Sequence, residues 1–209
     1  MKTPTCQTVY FIALGVLSTI FLTLCPASGQ DACKPAPPAG LKKGDLYYVA
    51  FITRNQRNAT DKDINKYNQF VFDQAKNVCP TVLLPFSYRA IASTAAKSAK
   101  DNLKLKVTPP VYRVDGKRVV EHAEYLFGGL GLDNPVNIDE RGALSNELTV
   151  WTGTNWEDGS TRVDGPLGGD LVGIADPQSS DAKNWVQTGR IMNDQLAPLY
   201  AISTLLRVP

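Results

Sequence analysis

The feature that most constrains this fold is a glycine-rich stretch at residues 150–170, with the sequence VWTGTNWEDGSTRVDGPLGGD. Glycine inside a helix or strand costs conformational entropy, so a stretch that carries five glycines predicts a long loop. Two tryptophans and four acidic residues lie in the same stretch. The loop could bind a sugar, calcium or a phosphate, or its aromatic residues could only pin it to the body.

Residues 1–29 are predicted to be a signal peptide. The apolar run Phe11–Leu24 is too short to span a bilayer comfortably. Ala27 and Gly29 supply the small residues that signal peptidase requires, so we expect cleavage after Gly29 and export to the cell surface or the medium. Acylation at Cys25 is the alternative, but the residues around this cysteine fit a lipoprotein signal badly.

The exported part is predicted to form one domain behind a linker. Residues 30–45 are rich in proline, which fixes φ and removes backbone donors, and residues 46–209 have the length of one domain. Without Lys2, the net charge falls from +2 to +1. This balance favours neither nucleic acid nor an anionic membrane as a partner. No later apolar run is long enough to span a membrane.

Two cysteines, Cys33 and Cys79, remain after removal of the signal peptide. Export permits a disulfide between them, which would tie the linker to the domain and stabilise it by about 3–4 kcal/mol. Two unpaired thiols are the alternative.

The first half of the domain is predicted to contain a strand and two helices. The β-branched and aromatic segment Leu46–Thr53, LYYVAFIT, predicts the first strand. A helix should follow, because Thr60 and Asp63 resemble a capping box and apolar residues then recur at helical spacing, at Ile64, Tyr67, Val71, Ala75 and Val78. YRAIAS predicts a short strand, and STAAKSAKDNL predicts a second helix that begins at Ser93 or Thr94.

The second half is predicted to consist of short strands and loops. Asp115-Gly116 lies between two β-rich arms in VYRVDGKRVV, which is the strongest short hairpin signal in the chain. EHAEYLFGG predicts a helical turn, ELTVWTGT a strand before the long loop, and APLYAISTLLRV the final strand. Two early helices followed by short, mostly antiparallel strands favour an α+β fold over a parallel βαβ sheet.

The order of these segments resembles the endostatin-like branch of the C-type-lectin fold. The matching segments are YYVAFIT, NKYNQFVFDQA, YRAIAS, VYRVDG, AEYLFGG, VWTGTNWEDGSTR and LYAIS, which cover nearly all of Leu46–Val208 in order. The ends VWTGT…DG and PLYAIS…VP are also similar to bacterial exported proteins that often continue into a PEP-CTERM sorting tail. The resemblance implies a C-type-lectin-like domain with a long glycine-rich loop. A sorting tail does not occur within the 209 residues.

Some features of the family are missing here. Val71 stands where the endostatin-like pattern suggests a cysteine, and the last strand has no cysteine. Endostatins bind zinc through several histidines, but His122 is the only histidine in this sequence, so no comparable zinc site is expected. The near-zero net charge gives little support to a heparin-binding surface of clustered arginines. The fold therefore transfers more readily than the function.

The resemblance also implies a candidate calcium site. Long-loop C-type lectins bind calcium through loop carboxylates and an Asn-Asp pair before the last strand, and Asn193-Asp194 occupies such a place here. Asp158, Asp164 and Asp170 could add oxygen ligands from the loop. The sugar-binding motif Glu-Pro-Asn is absent, and ordinary turns explain Asp and Asn equally well. A phosphate loop is rejected, because no G-x-x-x-x-G-K-[ST] motif occurs.

The three tryptophans receive different predictions. Trp151 lies in an alternating strand and should be a core residue. Trp156 and Trp185 lie among polar residues, so each is a candidate exposed platform for a ligand, although either could instead pin the loop to the domain.

No motif in the chain predicts catalysis. There is no G-x-S-x-G motif, and the lone His122 is more typical of a surface or half-buried residue than of a base. We expect a secreted, non-catalytic recognition module that binds matrix, polysaccharide or a surface protein, without a cofactor unless calcium binds. The alternatives are an exported carbohydrate-active enzyme that uses Asp158 and Asp164, or a structural cell-surface protein.

Overall fold

The computed structural model describes residues 38–78 and 87–209 of the chain. The predicted signal peptide (1–29), the first half of the linker and both cysteines, Cys33 and Cys79, lie outside these residues. Cleavage after Gly29 and the disulfide therefore stay predictions.

The described residues form an α+β fold in which sheet predominates and two α-helices lie near the N-terminal end, as the sequence predicts. The elements in order are β1 (Leu46–Ile52), α1 (Ile64–Val78), β2 (Tyr88–Ala90), α2 (Ala99–Leu103), β3 (Val111–Arg113), β4 (Arg118–Val120), a 3₁₀ helix (Ala123–Leu126), β5 (Val150–Trp151), β6 (Leu171–Ala175), β7 (Gly189–Met192), β8 (Tyr200–Ser203) and β9 (Leu206–Arg207).

The larger sheet is built around β1. Its strand order is β2-β8-β1-β3-β4, and β9 also pairs with β1. The pair of β1 with β3 is parallel, while β1 pairs antiparallel with β8, where Ala50 faces Ile202. The first strand and the last two strands of the described residues therefore lie side by side, and their pairing closes the domain.

The predicted last strand is interrupted between β8 and β9. β1 pairs with β8 in one register and with β9 in a register shifted by one residue, so one extra residue must be accommodated between the two strands. Ser203 sits at this break, and its hydroxyl accepts a hydrogen bond of 2.9 Å from the N–H of Val49. A side chain thus replaces a backbone partner that the shift removes.

The smaller sheet contains β5, β6 and β7 in antiparallel order. The sequence predicts neither β6 nor β7, because β6 contains Gly173 and β7 is short and half exposed. β5 has only two residues of the predicted ELTVWTGT strand. It ends where Gly153 adopts a φ of +58° and packs directly on Gly173.

Helix α1 is confirmed, and its apolar stripe is buried, with Tyr67 and Val71 fully inaccessible. The predicted cap is displaced by three residues. Asp63 caps the helix by accepting a 2.9 Å hydrogen bond from the N–H of Asn65, whereas Thr60 donates its hydroxyl to Asn58. Neither helix in the described ranges has the length and apolar run required to cross a membrane.

Helix α2 is shorter than predicted and begins after Ser98, whose hydroxyl accepts from the N–H of Asp101 at 3.0 Å. Ser93 does not begin the helix because its hydroxyl is buried between Thr154, at 2.9 Å, and the N–H of Ala99, at 2.7 Å. The predicted hairpin is confirmed by the antiparallel pairing of β3 and β4.

Comparison of Gly153 with Gly116 distinguishes two reasons for a glycine, which are positive φ and close packing. Both have positive φ, but a Cβ on Gly153 would lie 2.6 Å from the Ser93 carbonyl oxygen and 2.8 Å from the Leu167 nitrogen, whereas Gly116 faces open space. We expect Gly116→Ala to lower the free energy of unfolding by about 1 kcal/mol, through backbone strain alone. Gly153→Ala should lower it by more than about 3 kcal/mol in denaturant titrations. Equal losses in the two variants would contradict the close packing of the loop.

Candidate functional site

The long loop after β5 is bonded to the rest of the domain at several points. The N–H of Leu167 donates to the Ser93 carbonyl at 2.9 Å, and the N–H of Gly168 donates to the Ala59 carbonyl at 2.8 Å. Trp151 is a core residue, as predicted, and its indole N–H donates to the Arg57 carbonyl at 2.8 Å. The loop therefore packs on the domain as part of its scaffold.

The expectation that Trp185 is an exposed platform is wrong. Its exposed fraction is 1%, and it belongs to the core cluster under the larger sheet. The indole stacks on Phe127 with 6.0 Å between ring centroids and contacts Tyr200 at 5.7 Å. Its polar sequence neighbours are exposed, but these distant aromatic residues bury the ring.

Trp156 is half-buried and keeps part of its surface accessible. It packs against the same core cluster, and its carbonyl accepts a 3.1 Å hydrogen bond from the N–H of Gly128. Its ring lies beside Gly129, where a Cβ would stand 3.4 Å away. Trp156 therefore pins the loop to the domain. Of the two tryptophans predicted as platforms, Trp156 keeps accessible surface and Trp185 does not.

Two of the four loop carboxylates, Asp158 and Asp164, are engaged by their neighbours. Asp158 is exposed and accepts a 2.9 Å hydrogen bond from the N–H of Ser160, and its pKa lies below the ordinary value because Ser160 hydrogen-bonds to it. Asp164 pairs with Arg162 at 2.6 Å and with Arg190 at 3.1 Å, and the hydrogen bond from Arg162 lowers its pKa. Both carboxyls are therefore ionised at neutral pH.

Asn193 and Asp194 form the turn that follows β7. The Asn193 amide donates to the Gly169 carbonyl at 2.9 Å, while Asp194 is exposed beside Gln195. Across residues 38–78 and 87–209, no three His, Cys, Asp or Glu side chains come together in a group that could hold a metal ion. Asp158, Asp164, Asp170 and Asp194 therefore form no such group, contrary to what the calcium site requires.

A groove of about 760 Å³ lies between α1 and α2, away from the residues selected from the sequence. The α1 side presents Asn65, Gln69 and the half-buried Phe72. The opposite side is formed by Thr94, Lys97 and the α2 residues. Its size is within the range of small-molecule sites, and its wall combines amides, hydroxyls and charged groups.

Two asparagines form the floor of the groove and fix the helices to the sheet edge. Asn68 of α1 and Asn102 of α2 exchange side-chain hydrogen bonds of 2.9 and 3.0 Å. Asn68 also accepts from the N–H of Ala90 at 2.9 Å, and Asn102 donates to the Ala90 carbonyl at 2.9 Å. Because β2 is the edge strand, this asparagine clamp, Asn68 with Asn102, replaces a neighbouring strand at Ala90.

Four cationic side chains and two carboxylates line the groove, which gives it a net charge of +2: Lys62, Arg89, Lys97, Lys104, Asp63 and Asp101. The stem of Lys62 is packed at the long loop, where a Cβ on Gly168 would lie 2.7 Å from the Lys62 Cγ. Arg89 donates to the Asn102 carbonyl. The loop and the clamp therefore position two of the four cations.

Lys104 ends α2 in the left-handed conformation, with a φ of +47°. Among the described residues it is the only one other than glycine with positive φ. Glycine is the favoured residue at such a helix end, because a Cβ is strained there. The position therefore holds a lysine in a conformation that lysine rarely adopts.

Thr94 adds a buried hydroxyl to the groove wall. The residue has an exposed fraction of 0%, and its hydroxyl has no hydrogen-bond partner among the described residues. Leaving a buried hydroxyl unpaired costs about 1–3 kcal/mol.

The sequence does not predict the groove, because the residues that line it form only a weak pattern. The exposed Asn65 and Gln69, with the half-buried Asn68 beside them, form a polar stripe on α1. Such a stripe is the ordinary solvated face of an amphipathic helix, and only the approach of α2 turns it into the wall of a groove.

Replacement of Trp185 and of Trp156 should lower the stability by different amounts, because the two rings differ in burial. Trp185→Ala should lower the free energy of unfolding by about 3–5 kcal/mol, because it empties a buried aromatic site. Trp156→Ala should lower it by less, because part of that ring already contacts solvent. Denaturant titration of both variants measures the difference, and a larger loss for Trp156→Ala would contradict the burial of Trp185.

Removal of the asparagine clamp should destabilise the domain. Asn102→Ala leaves the Ala90 carbonyl and the Asn68 amide without their partners, so we expect a loss of about 2–3 kcal/mol and a fall in melting temperature of about 5–10 °C. Asn184→Ala, at an exposed position, is the matched control and should stay within about 0.5 kcal/mol of the parent. A clamp variant as stable as the control would show that α1 and α2 are held by other contacts.

Comparison of the chain with protein-family models and with curated proteins finds no match. The groove and the long loop are therefore the features from which a function can be proposed.

Proposed function

We propose that this chain is an exported, non-catalytic recognition module that binds a polysaccharide or a surface protein. The observation that carries the proposal is the groove between α1 and α2, with its amide, hydroxyl and cationic wall. Amides both donate and accept hydrogen bonds, so Asn65 and Gln69 suit a polar ligand rich in hydroxyl groups. The half-buried rings of Phe72 and Tyr88 add apolar surface to the same groove.

The proposed architecture is C-type-lectin-like, of the endostatin-like branch, and similar to exported proteins that carry PEP-CTERM tails. The order of the segments from Leu46 to Val208 supports it, as does the α+β fold with two early helices. The pairing of β1 with β8 and the long loop beside a separate three-stranded sheet are compatible with such a domain. Export itself is proposed from the signal-peptide pattern of residues 1–29.

The charges of the loop favour recognition over glycoside hydrolysis. A hydrolase needs one carboxyl that stays protonated to donate to the leaving group. Asp158 and Asp164 have lowered pKa values and are held by Ser160 and by two arginines. These contacts stabilise the charged form of both carboxyls. Neither is therefore suited to donate a proton to the leaving group.

The test measures binding and turnover with the same secreted protein. We expect it to bind one or more polysaccharides on a glycan array, and we expect no release of reducing sugar from any bound polysaccharide. The double variant Asn65→Ala/Gln69→Ala, which changes two exposed residues of the groove wall, should lose at least about tenfold in affinity, which is about 1.4 kcal/mol.

The matched control for this test is the double variant Asn184→Ala/Gln195→Ala, at two exposed positions that do not line the groove. It should bind as the parent does. Hydrolysis that is lost in Asp158→Asn/Asp164→Asn would favour the enzyme. Binding to neither polysaccharides nor isolated surface proteins would favour a structural protein.

A further inference from the structure

The groove concentrates the positive charge of the chain. Without the predicted signal peptide the sequence has a formal net charge of +1, whereas the groove residues alone carry +2. The remaining residues of the exported part therefore carry a net charge of −1. A local excess of cations in a concave site attracts anionic ligands more strongly than the same charges would if they were spread over the surface.

The cations of the groove are not neutralised by their neighbours. Within the part of the chain that the structure describes, none of Lys62, Lys97 and Lys104 forms an ion pair. The two carboxylates are already engaged, because Asp63 caps α1 and Asp101 accepts from the hydroxyl of Ser98 at 2.7 Å. These hydrogen bonds come from neutral donors, so both carboxylates stay charged and the net charge of the groove remains +2.

The asparagine clamp determines how a ligand can be recognised. An extended peptide commonly binds an edge strand through backbone hydrogen bonds. Here the N–H and the carbonyl of Ala90, on the edge strand β2, are both occupied by Asn68 and Asn102. A peptide therefore cannot form backbone hydrogen bonds at Ala90. A ligand in the groove must be recognised through side chains.

The side chains in the groove suit a sugar chain. Asn65 and Gln69 can donate and accept hydrogen bonds at once, as a hydroxyl does. We infer that the ligand of this groove is an oligosaccharide that carries repeated anionic groups. The inference rests on the proposed function and specifies its ligand.

A second, smaller pocket extends the site. It has a volume of about 240 Å³, shares Arg89 and Lys104 with the groove and adds Lys106 and the Tyr48 side chain. The two pockets therefore meet at two cations, and a third cation lies beyond them. Successive positive groups suit a sugar chain with an anionic group on each of several successive units. They suit a single small anion less well.

Lys104, the lysine in the left-handed conformation, offers a test that distinguishes ligand binding from a purely structural role. Glycine removes the strain at position 104, so Lys104→Gly should raise the melting temperature by about 2–4 °C. The same change removes one cation that both pockets share, so it should weaken binding of an anionic sugar about tenfold. A variant that is more stable yet binds more weakly separates ligand binding from folding.

The experiment is calorimetric titration of the secreted protein with four defined probes. Oligogalacturonate carries carboxylates, its methyl ester is the same chain without the charges, sulfated dextran oligomers carry sulfates, and oligoglutamate is an acidic peptide. We expect binding of one or both acidic sugars, at least about tenfold weaker binding of the ester, and an affinity that falls as salt rises. The acidic sugar that binds more tightly identifies the anionic group.

Charge variants complete the test. Lys62→Gln/Lys97→Gln should weaken binding of the acidic sugar by at least about tenfold, whereas Lys117→Gln/Lys183→Gln, at two exposed lysines outside both pockets, should leave it unchanged. Equal binding of oligogalacturonate and its ester, with no effect of the groove lysines, would overturn this inference but leave the recognition module standing. Tighter binding of oligoglutamate than of either acidic sugar would overturn it in favour of an acidic protein segment. Binding of no glycan of any kind would overturn the polysaccharide proposal as well.

Discussion

The paired hydrogen bonds of Asn68 and Asn102 are the interaction on which the site depends. The two side chains join α1, α2 and the edge strand β2 through one carbonyl and one N–H of Ala90. They close the edge of the larger sheet, which would otherwise offer its backbone to another strand. They also set the distance between the helices, so the groove is a consequence of the clamp. The proposed recognition by side chains rests on the same contact.

The long loop packs against the segments that carry the groove residues. Gly168 brings the loop backbone against Asp61 and Lys62, and Gly153 brings it against Ser93, which immediately precedes Thr94 of the groove wall. The loop therefore supports the groove by close backbone packing, and two of its acids, Asp158 and Asp164, have local partners. A stretch with conspicuous acids and tryptophans thus serves mainly as scaffold, while plain polar residues line the proposed binding surface.

Local patterns in the sequence predict part of this structure correctly. β1, α1 and the β3–β4 hairpin arise from composition, helical spacing and an Asp-Gly turn, and each is found where it is expected. Failures occur where contacts between distant residues decide the outcome. Trp185 has polar neighbours in sequence, but Phe127 and Tyr200 bury it, and β6 forms although Gly173 weakens its pattern. The groove is a further case, because neither of its walls differs from an ordinary solvated surface until α1 and α2 meet.

The most direct test of this account is to map where an acidic sugar contacts the domain in solution. Backbone amide signals of the isotopically labelled protein would be followed by NMR during titration with oligogalacturonate. The account predicts that the signals of residues 62–69 and 94–106 shift together and saturate with a single affinity, while those of residues 155–164 move little. Shifts centred on Trp156 and Asp158, with the α1–α2 groove unaffected, would contradict it and place the ligand on the long loop.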